Sequence, residues 1–170
     1  MLETIKGLRL HRESALGVLP GELHGYLDRR IEVETWYPEA DAFGIARAAG
    51  QLFGPPGLDA WRWMGRQRAT LDLLEIFSDC LHVGNPAATL EDYGRLWSLY
   101  RSSGRMQAEI GGGRPHRLHL IDYPILNAEM VRLISGYIEA GLELSGLSEP
   151  GVTEPQEWAS ERATWTVDWS

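Results

Sequence analysis

An α+β fold is predicted, with N-terminal helices packed against a roughly four-stranded antiparallel sheet that one long helix, residues about 127–145, crosses. Three observations predict it. Apolar residues recur at helical spacing through most of the first 104 positions, and the period drops to two from Arg105. A single amphipathic helix then separates one pair of alternating segments from another, the last of which ends in WTVDW at 165–169. The 170 residues, 44% apolar and 24% charged, suit a single domain, 1–170, with a mainly helical part at 1–104 and a strand-strand-helix-strand-strand part at 105–170.

Residues 1–35 carry the weakest pattern. Pro20 can open a short helix through Arg30, with Leu23, Tyr26 and Leu27 on one side. IEVET at 31–35 then alternates Ile31, Val33 and Thr35 against Glu32 and Glu34, which suits a short strand or an extended lead-in. Pro38 starts a helix bearing Phe43, Ala46, Gly50 and Phe53, and GPPG at 54–57 ends it, because proline cannot donate the next backbone hydrogen bond. A second helix is expected from about Leu58 towards Leu81. After Asn85-Pro86, Thr89 with Asp92 three residues on resembles a capping box and opens a helix bearing Leu90, Tyr93, Trp97 and Tyr100. Four helices are thus expected before the sheet.

RMQAEI then sets Met106, Ala108 and Ile110 on one face, and HRLHLI returns with Leu118 and Leu120 after a GGGRP turn, a hairpin pattern. Asn127 can cap the long helix. Its apolar stripe is Met130, Val131, Ile134, Tyr137, Ile138 and Leu142, with Asn127, Glu129, Arg132, Ser135, Glu139 and Glu143 opposite, and Gly146 stops it. A proline-containing segment, Val152–Trp158, reads as an edge strand, and TWTVDW puts Trp165, Val167 and Trp169 on one face.

Composition excludes several classes of function. A net charge of −8 argues against non-specific nucleic-acid binding, which depends on neutralising phosphates. Arginines gather in the middle of the chain (Arg62, Arg66, Arg68, Arg95, Arg101, Arg105, Arg114, Arg117). Acids gather at the end (Glu139, Glu143, Glu149, Glu154, Glu157, Glu161, Asp168), so solvated faces of opposite sign are expected. One cysteine, Cys80, forbids an internal disulfide; it is read as a small buried hydrophobe on an apolar helix in a cytoplasmic protein. Glu3, Lys6, Arg9 and Arg12 interrupt any secretory apolar region, and no run reaches membrane-spanning length.

Candidate chemistry is sparse. GGGR at 111–114 lies between two alternating strands, without the following helix and Lys-Ser/Thr of a phosphate loop, so a turn is expected there. His116 and His119, three apart on a strand, point to opposite faces and cannot share a metal ion. His82 follows Leu81 on the expected second helix, where a lone histidine is a weak ligand signal. Trp61 and Trp63 lie about 200° apart around a helix, so one of them should be exposed. Trp36, Trp61, Trp97, Tyr100 and Tyr137 are the candidate lining of an apolar ligand pocket, because aromatics serve both pockets and interfaces.

The runs KGLRLH, TWYPEADAFGIARAAGQLFG, LWSLYRSSGRM and, above all, HLIDYP…MVRLISGYIEAGLELSG…ATWTVDW resemble the superfamily of vinyl-4-reductase domains, heme-nitric-oxide-binding-like domains and vesicle-tethering TRAPP subunits. Nearest are uncharacterised paralogous myxobacterial proteins of similar size. The resemblance spans most of the chain through diffuse motifs. It implies helices on an antiparallel sheet, frequent dimerisation and, in several branches, a cavity for a hydrophobic or aromatic effector. The heme-binding branch uses an axial histidine on a long helix and a Tyr-x-Ser-x-Arg set for the propionates. The corresponding residues would be His82, Tyr100, Ser102 and Arg105, although Gly104 stands at the motif's arginine and Arg105 comes one residue late. The vinyl-4-reductase branch carries cysteines around its last two strands, whereas 151–169 has none, so that branch's metal role is not expected. Gly136 and Ala140 should let a neighbour approach the GYIEAG helix closely.

The expectation is therefore a non-enzymatic, homodimeric sensor or adaptor that binds a small hydrophobic or aromatic ligand or a protein partner, with no cofactor, no nucleic acid and no membrane span. The alternative is a heme-based gas sensor with His82 as axial ligand; a reductase-type enzyme comes third.

Overall fold

The computed structural model describes residues 1–32, 35–111, 115–156 and 161–169. They form two compact units, Met1–Ala60 and Trp61–Ser170. In the first unit, α1 (Leu2–Leu10) and α2 (Arg12–Val18) replace the weak pattern of the N-terminus. The expected helix after Pro20 is a shorter 3-10 segment, Gly21–Leu27, with Leu23, Tyr26 and Leu27 buried. Arg9 holds the end of that segment: its Nε donates to the Leu27 carbonyl at 2.9 Å, and its Nη2 to the carbonyls of Tyr26 and Arg29. One guanidinium thus satisfies three carbonyls that the helix end leaves open. Ile31, Glu32 and Thr35 are irregular, and the rest of IEVET lies outside the described residues. The helix after Pro38 is α3 (Glu39–Phe53), ending where GPPG begins. Ile5, Leu8, Leu23, Leu27, Ile45 and Ala48 are central to this unit's core.

The second unit is built on a four-stranded antiparallel sheet in the order β1-β2-β4-β3. Its strands are β1 (Arg105–Glu109), β2 (His116–Ile121), β3 (Gly151–Thr153) and β4 (Ala163–Asp168). Leu118 faces Trp165, Leu120 faces Ala163 and His116 faces Val167, which makes one apolar face. His116 and His119 do point apart: His116 is buried and stacked on Trp169 at 4.0 Å, while His119 bonds Thr164 on the other face. The expected edge strand at Val152–Trp158 is only Gly151–Thr153 long, and 157–160, like the turn at 112–114, fall outside the described residues.

Among the described residues six α-helices precede the sheet, two more than expected. The helix expected to reach Leu81 stops early. It is α4 (Asp59–Leu71), followed by a π-turn at Asp72–Ile76 and a 3-10 turn at Ser78–Cys80. The Phe77 N–H reaches back five residues to the Asp72 carbonyl at 2.6 Å, which ends α-helical geometry there. Cys80 is fully buried in the 3-10 turn rather than on a long helix. The next helix begins earlier than expected. Asn85, not Thr89, caps α5 (Pro86–Glu91) by accepting the Ala88 N–H at 3.2 Å. Thr89 lies inside α5, buried, and its hydroxyl accepts the His82 N–H. α6 (Tyr93–Tyr100) follows and lies against β1.

The long helix is α7 (Ala128–Leu144), and Asn127 caps it by accepting the Met130 N–H at 2.9 Å. Its polar side is not solvated as expected: Glu139 is nearly buried where α4 covers the helix, and Ser135 is fully buried against the sheet. A Cβ on Gly65 would strike the Leu133 carbonyl of α7, and one on Gly136 would strike the Arg62 carbonyl of α4, so the two backbones touch at reciprocal glycines. Charge flanks this crossing. Arg62 and Arg66 both bind Glu139, Arg66 also holds Glu143, and Glu154 bridges Arg62 and Arg132. On the sheet side, the buried Trp165 indole donates to Ser135 Oγ at 2.9 Å. No helix among the described residues is long and apolar enough to cross a membrane.

Candidate functional site

A buried polar cluster of the second unit lies where α4 ends. Asp72 is wholly buried at the first position of the π-turn. Arg68, one helical turn earlier, puts Nε 2.9 Å from its carboxylate, and the Tyr137 hydroxyl of α7 donates to Oδ2 at 3.2 Å. Tyr100 of α6 completes the group. Arg68 lies over the Tyr100 ring at 4.7 Å, and Phe77 meets that ring edge-on at 5.4 Å. The Tyr100 hydroxyl is buried and close enough to feel Asp72 and Arg68, yet it makes no well-formed hydrogen bond; Asp72 Oδ1 likewise has only its ionic contact with Arg68. Behind Tyr137, Tyr93 stacks edge-on at 5.5 Å and donates to the Tyr137 carbonyl.

Burial decides the electrostatics here. Desolvation raises the Asp72 carboxyl above its usual range, although Arg68, Tyr100 and Tyr137 all pull it down. Burial also opposes the Arg68 charge, but attraction to Asp72 and Tyr100 outweighs it and the net shift is upward. The phenols of Tyr100, Tyr137 and Tyr93 are pushed far up, chiefly by burial. At neutral pH these tyrosines are therefore hydrogen-bond partners and not bases.

Of the predicted aromatic pocket, Tyr100 and Tyr137 meet at Asp72. Trp97 instead packs on Tyr123 at 5.0 Å and donates to the Ser103 carbonyl. Trp61 is 4% exposed and Trp63 37%, so the two tryptophans divide as their spacing requires. Trp36, in the first unit, is 64% exposed. Sequence reasoning missed Arg68 and Asp72 as a pair, although their i, i+4 spacing on one helix face is a usable signal.

The residues offered for heme do not converge. His82 is not on a long helix but in the loop before α5. Its ring Nε2 lies 2.8 Å from Asp92 Oδ2, and its backbone N–H is held by Thr89. An iron-ligating imidazole needs one ring nitrogen directed at the metal. Ser102 is exposed, and Arg105 is exposed and spends its guanidinium on Asp122 at 2.6 Å. Tyr100 alone of the four points into the interior. As a set, these residues do not fit a heme. Among the described residues no group of three His, Cys, Asp or Glu side chains could hold a metal ion.

Helices over a four-stranded antiparallel sheet, with one long helix packed between sheet and α4, define an α+β domain of the H-NOX fold. The chain is similar to a solved protein in which porphyrin distortion modulates heme redox potential: 16% identity, TM-score 0.72, over 98% of this chain and 96% of that one. It is also similar to an oxygen-binding H-NOX domain related to soluble guanylate cyclases (14% identity, TM-score 0.68, 97% and 87% covered). A third relative in structure is an I5F mutant of the T. tengcongensis H-NOX (17% identity, TM-score 0.68, 97% and 92% covered). No family model matches the chain. No functionally described protein matches its sequence.

Proposed function

We propose that the chain is a non-enzymatic sensor domain on the H-NOX fold, responding to a small ligand and passing the change on through a protein contact. One observation carries the reading: the likeness in fold covers nearly the whole of this chain and of a heme protein, at a TM-score of 0.72. Tyr100 and Tyr137 would line the responsive site, in a homodimer of the kind that the superfamily resemblance implies.

A second reading, heme-borne gas sensing, is favoured by the same likeness, since the similar structures are heme or oxygen-binding proteins. It requires His82 to leave Asp92. The absorption spectrum of protein purified from heme-supplemented cells separates the two. The first reading expects no intense Soret band; a Soret band that vanishes in His82→Ala would replace it with the second. Native mass spectrometry tests the remainder. A co-purifying small ligand on a dimer is expected, and a ligand-free strict monomer would remove the small-ligand reading.

A further inference from the structure

The π-turn after α4 shows its middle residues to solvent. Leu74 and Ile76 are each 51% exposed and Glu75 between them is exposed too, whereas Asp72 and Leu73 are buried. Two contacts tie the segment to α6: Phe77 meets the Tyr100 ring edge-on, and Asp79 pairs with Arg95 at 2.6 Å. Arg95 and Leu99, four apart, share one face of α6, so Leu99, 45% exposed, lies on the side that flanks the turn. Leu74, Ile76 and Leu99 thus belong to one side of the unit, with Glu75 among them. Apolar side chains exposed singly need no account, but these are grouped about a π-turn, a geometry frequent at functional sites.

We propose that this patch docks a protein partner through a basic amphipathic helix, which sets apolar side chains on Leu74, Ile76 and Leu99 and a lysine or arginine on Glu75. The inference rests on the sensor reading for its role: it names the surface through which a change at Tyr100 and Tyr137 is passed on. Charge selects the occupant. Among the described residues Glu75 has no ion-pair partner, while Arg68 and Arg95, which reach this segment, are engaged by Asp72 and Asp79. A second copy docked through the same patch about a two-fold axis would set Glu75 beside its own counterpart, with neither charge neutralised. An anionic lipid surface would meet the same carboxylate, with the largely exposed Asp79 near it. A cation on the partner removes the conflict, and the three aliphatic side chains suit the i, i+3, i+4 anchors of an amphipathic helix.

Two stapled helical peptides test the surface on the full-length chain, one with leucines on one face and lysines on the other, the second with glutamates in place of the lysines. The leucine–lysine peptide should slow amide hydrogen exchange across Leu73–Phe77 and bind at least about tenfold more tightly than its acidic counterpart. Glu75→Lys should reverse that preference. Glu149→Lys, an equal change of net charge at an exposed site elsewhere, should leave it standing, and Ile76→Asp should abolish the protection. The proposal is overturned by a footprint outside the patch, or by Glu75→Lys behaving as Glu149→Lys does, which would mean attraction by net charge alone. Protection of these amides by raised protein concentration without peptide, or by phosphatidylserine vesicles, would overturn it in favour of a second copy or a membrane. The peptide experiment needs no bound small ligand, so a ligand-free protein that shows the charge reversal keeps this surface and loses only the sensor reading.

Discussion

Ser135 and Asp72 are polar residues that the structure buries. Hydropathy reports what a side chain prefers, not which neighbour supplies its hydrogen bond, so Ser135, set by pattern opposite the apolar stripe of its helix, was misread, and no local signal singled out Asp72. Ser135 accepts the Trp165 indole N–H inside the fold. Ser135→Ala strands that donor and should cost about 1–3 kcal/mol in urea denaturation, a far larger loss than an alanine on an exposed helix face produces. Asp72 carries a pH signature. Its folded pKa lies above the unfolded value near about 4, so its contribution to stability is full below that value. The contribution is lost as pH rises through the folded pKa. Unfolding free energies of wild type and Asp72→Asn, measured over a pH series, should therefore shift relative to each other in favour of the variant as pH rises. His82 is the converse case. Its type suggested a ligand, but its loop and its Asp92 partner are tertiary facts with no local signal.

Helix starts and strand periods were legible wherever a single local rule governs them. Pro38, Asn127, Gly146 and the period of two from Arg105 each mark a boundary that the structure keeps. The π-turn was not legible, because a bond from residue 77 to residue 72 is favoured by the burial of Asp72 and not by any local propensity. The capping of α5 was assigned to the wrong residue, since Asn85 and Thr89 both suit an N-cap and only tertiary packing chooses between them. Asn127→Ala should lower stability by about 1 kcal/mol through loss of the α7 cap. Gly65→Ala and Gly136→Ala each drive a methyl group into a carbonyl of the facing helix and should cost about 3 kcal/mol or prevent folding. Thermal denaturation of the three variants side by side should place both glycine variants below Asn127→Ala.

Across the whole chain the α+β class was readable, and from Arg105 on so was the order of the elements, because those segments have a clean period and the proline and glycine punctuation agrees with it. The identity of the group at the buried polar cluster was not. The arginine, carboxylate and tyrosines at Asp72 come from three helices, and residues 68, 72, 100 and 137 are joined only by folding. Global electrostatics follow from composition. Many ion pairs, such as Arg95–Asp79 and Arg117–Glu109, are largely exposed, where solvent screening leaves them little to contribute. The net charge of −8 repels itself. Added sodium chloride screens both, and the thermal midpoint should not fall between low salt and about 1 M.

The reciprocal contact of Gly65 and Gly136 has a mechanical consequence. With backbone against backbone, neither α4 nor α7 can roll about its own axis without a collision, and the arginine–glutamate pairs beside the contact resist separation. The two helices behave as one stiff spar, along which a disturbance travels without being absorbed. Displacement must then appear at the spar's ends, and at the C-terminal end of α4 that is the turn bearing Leu74 and Ile76.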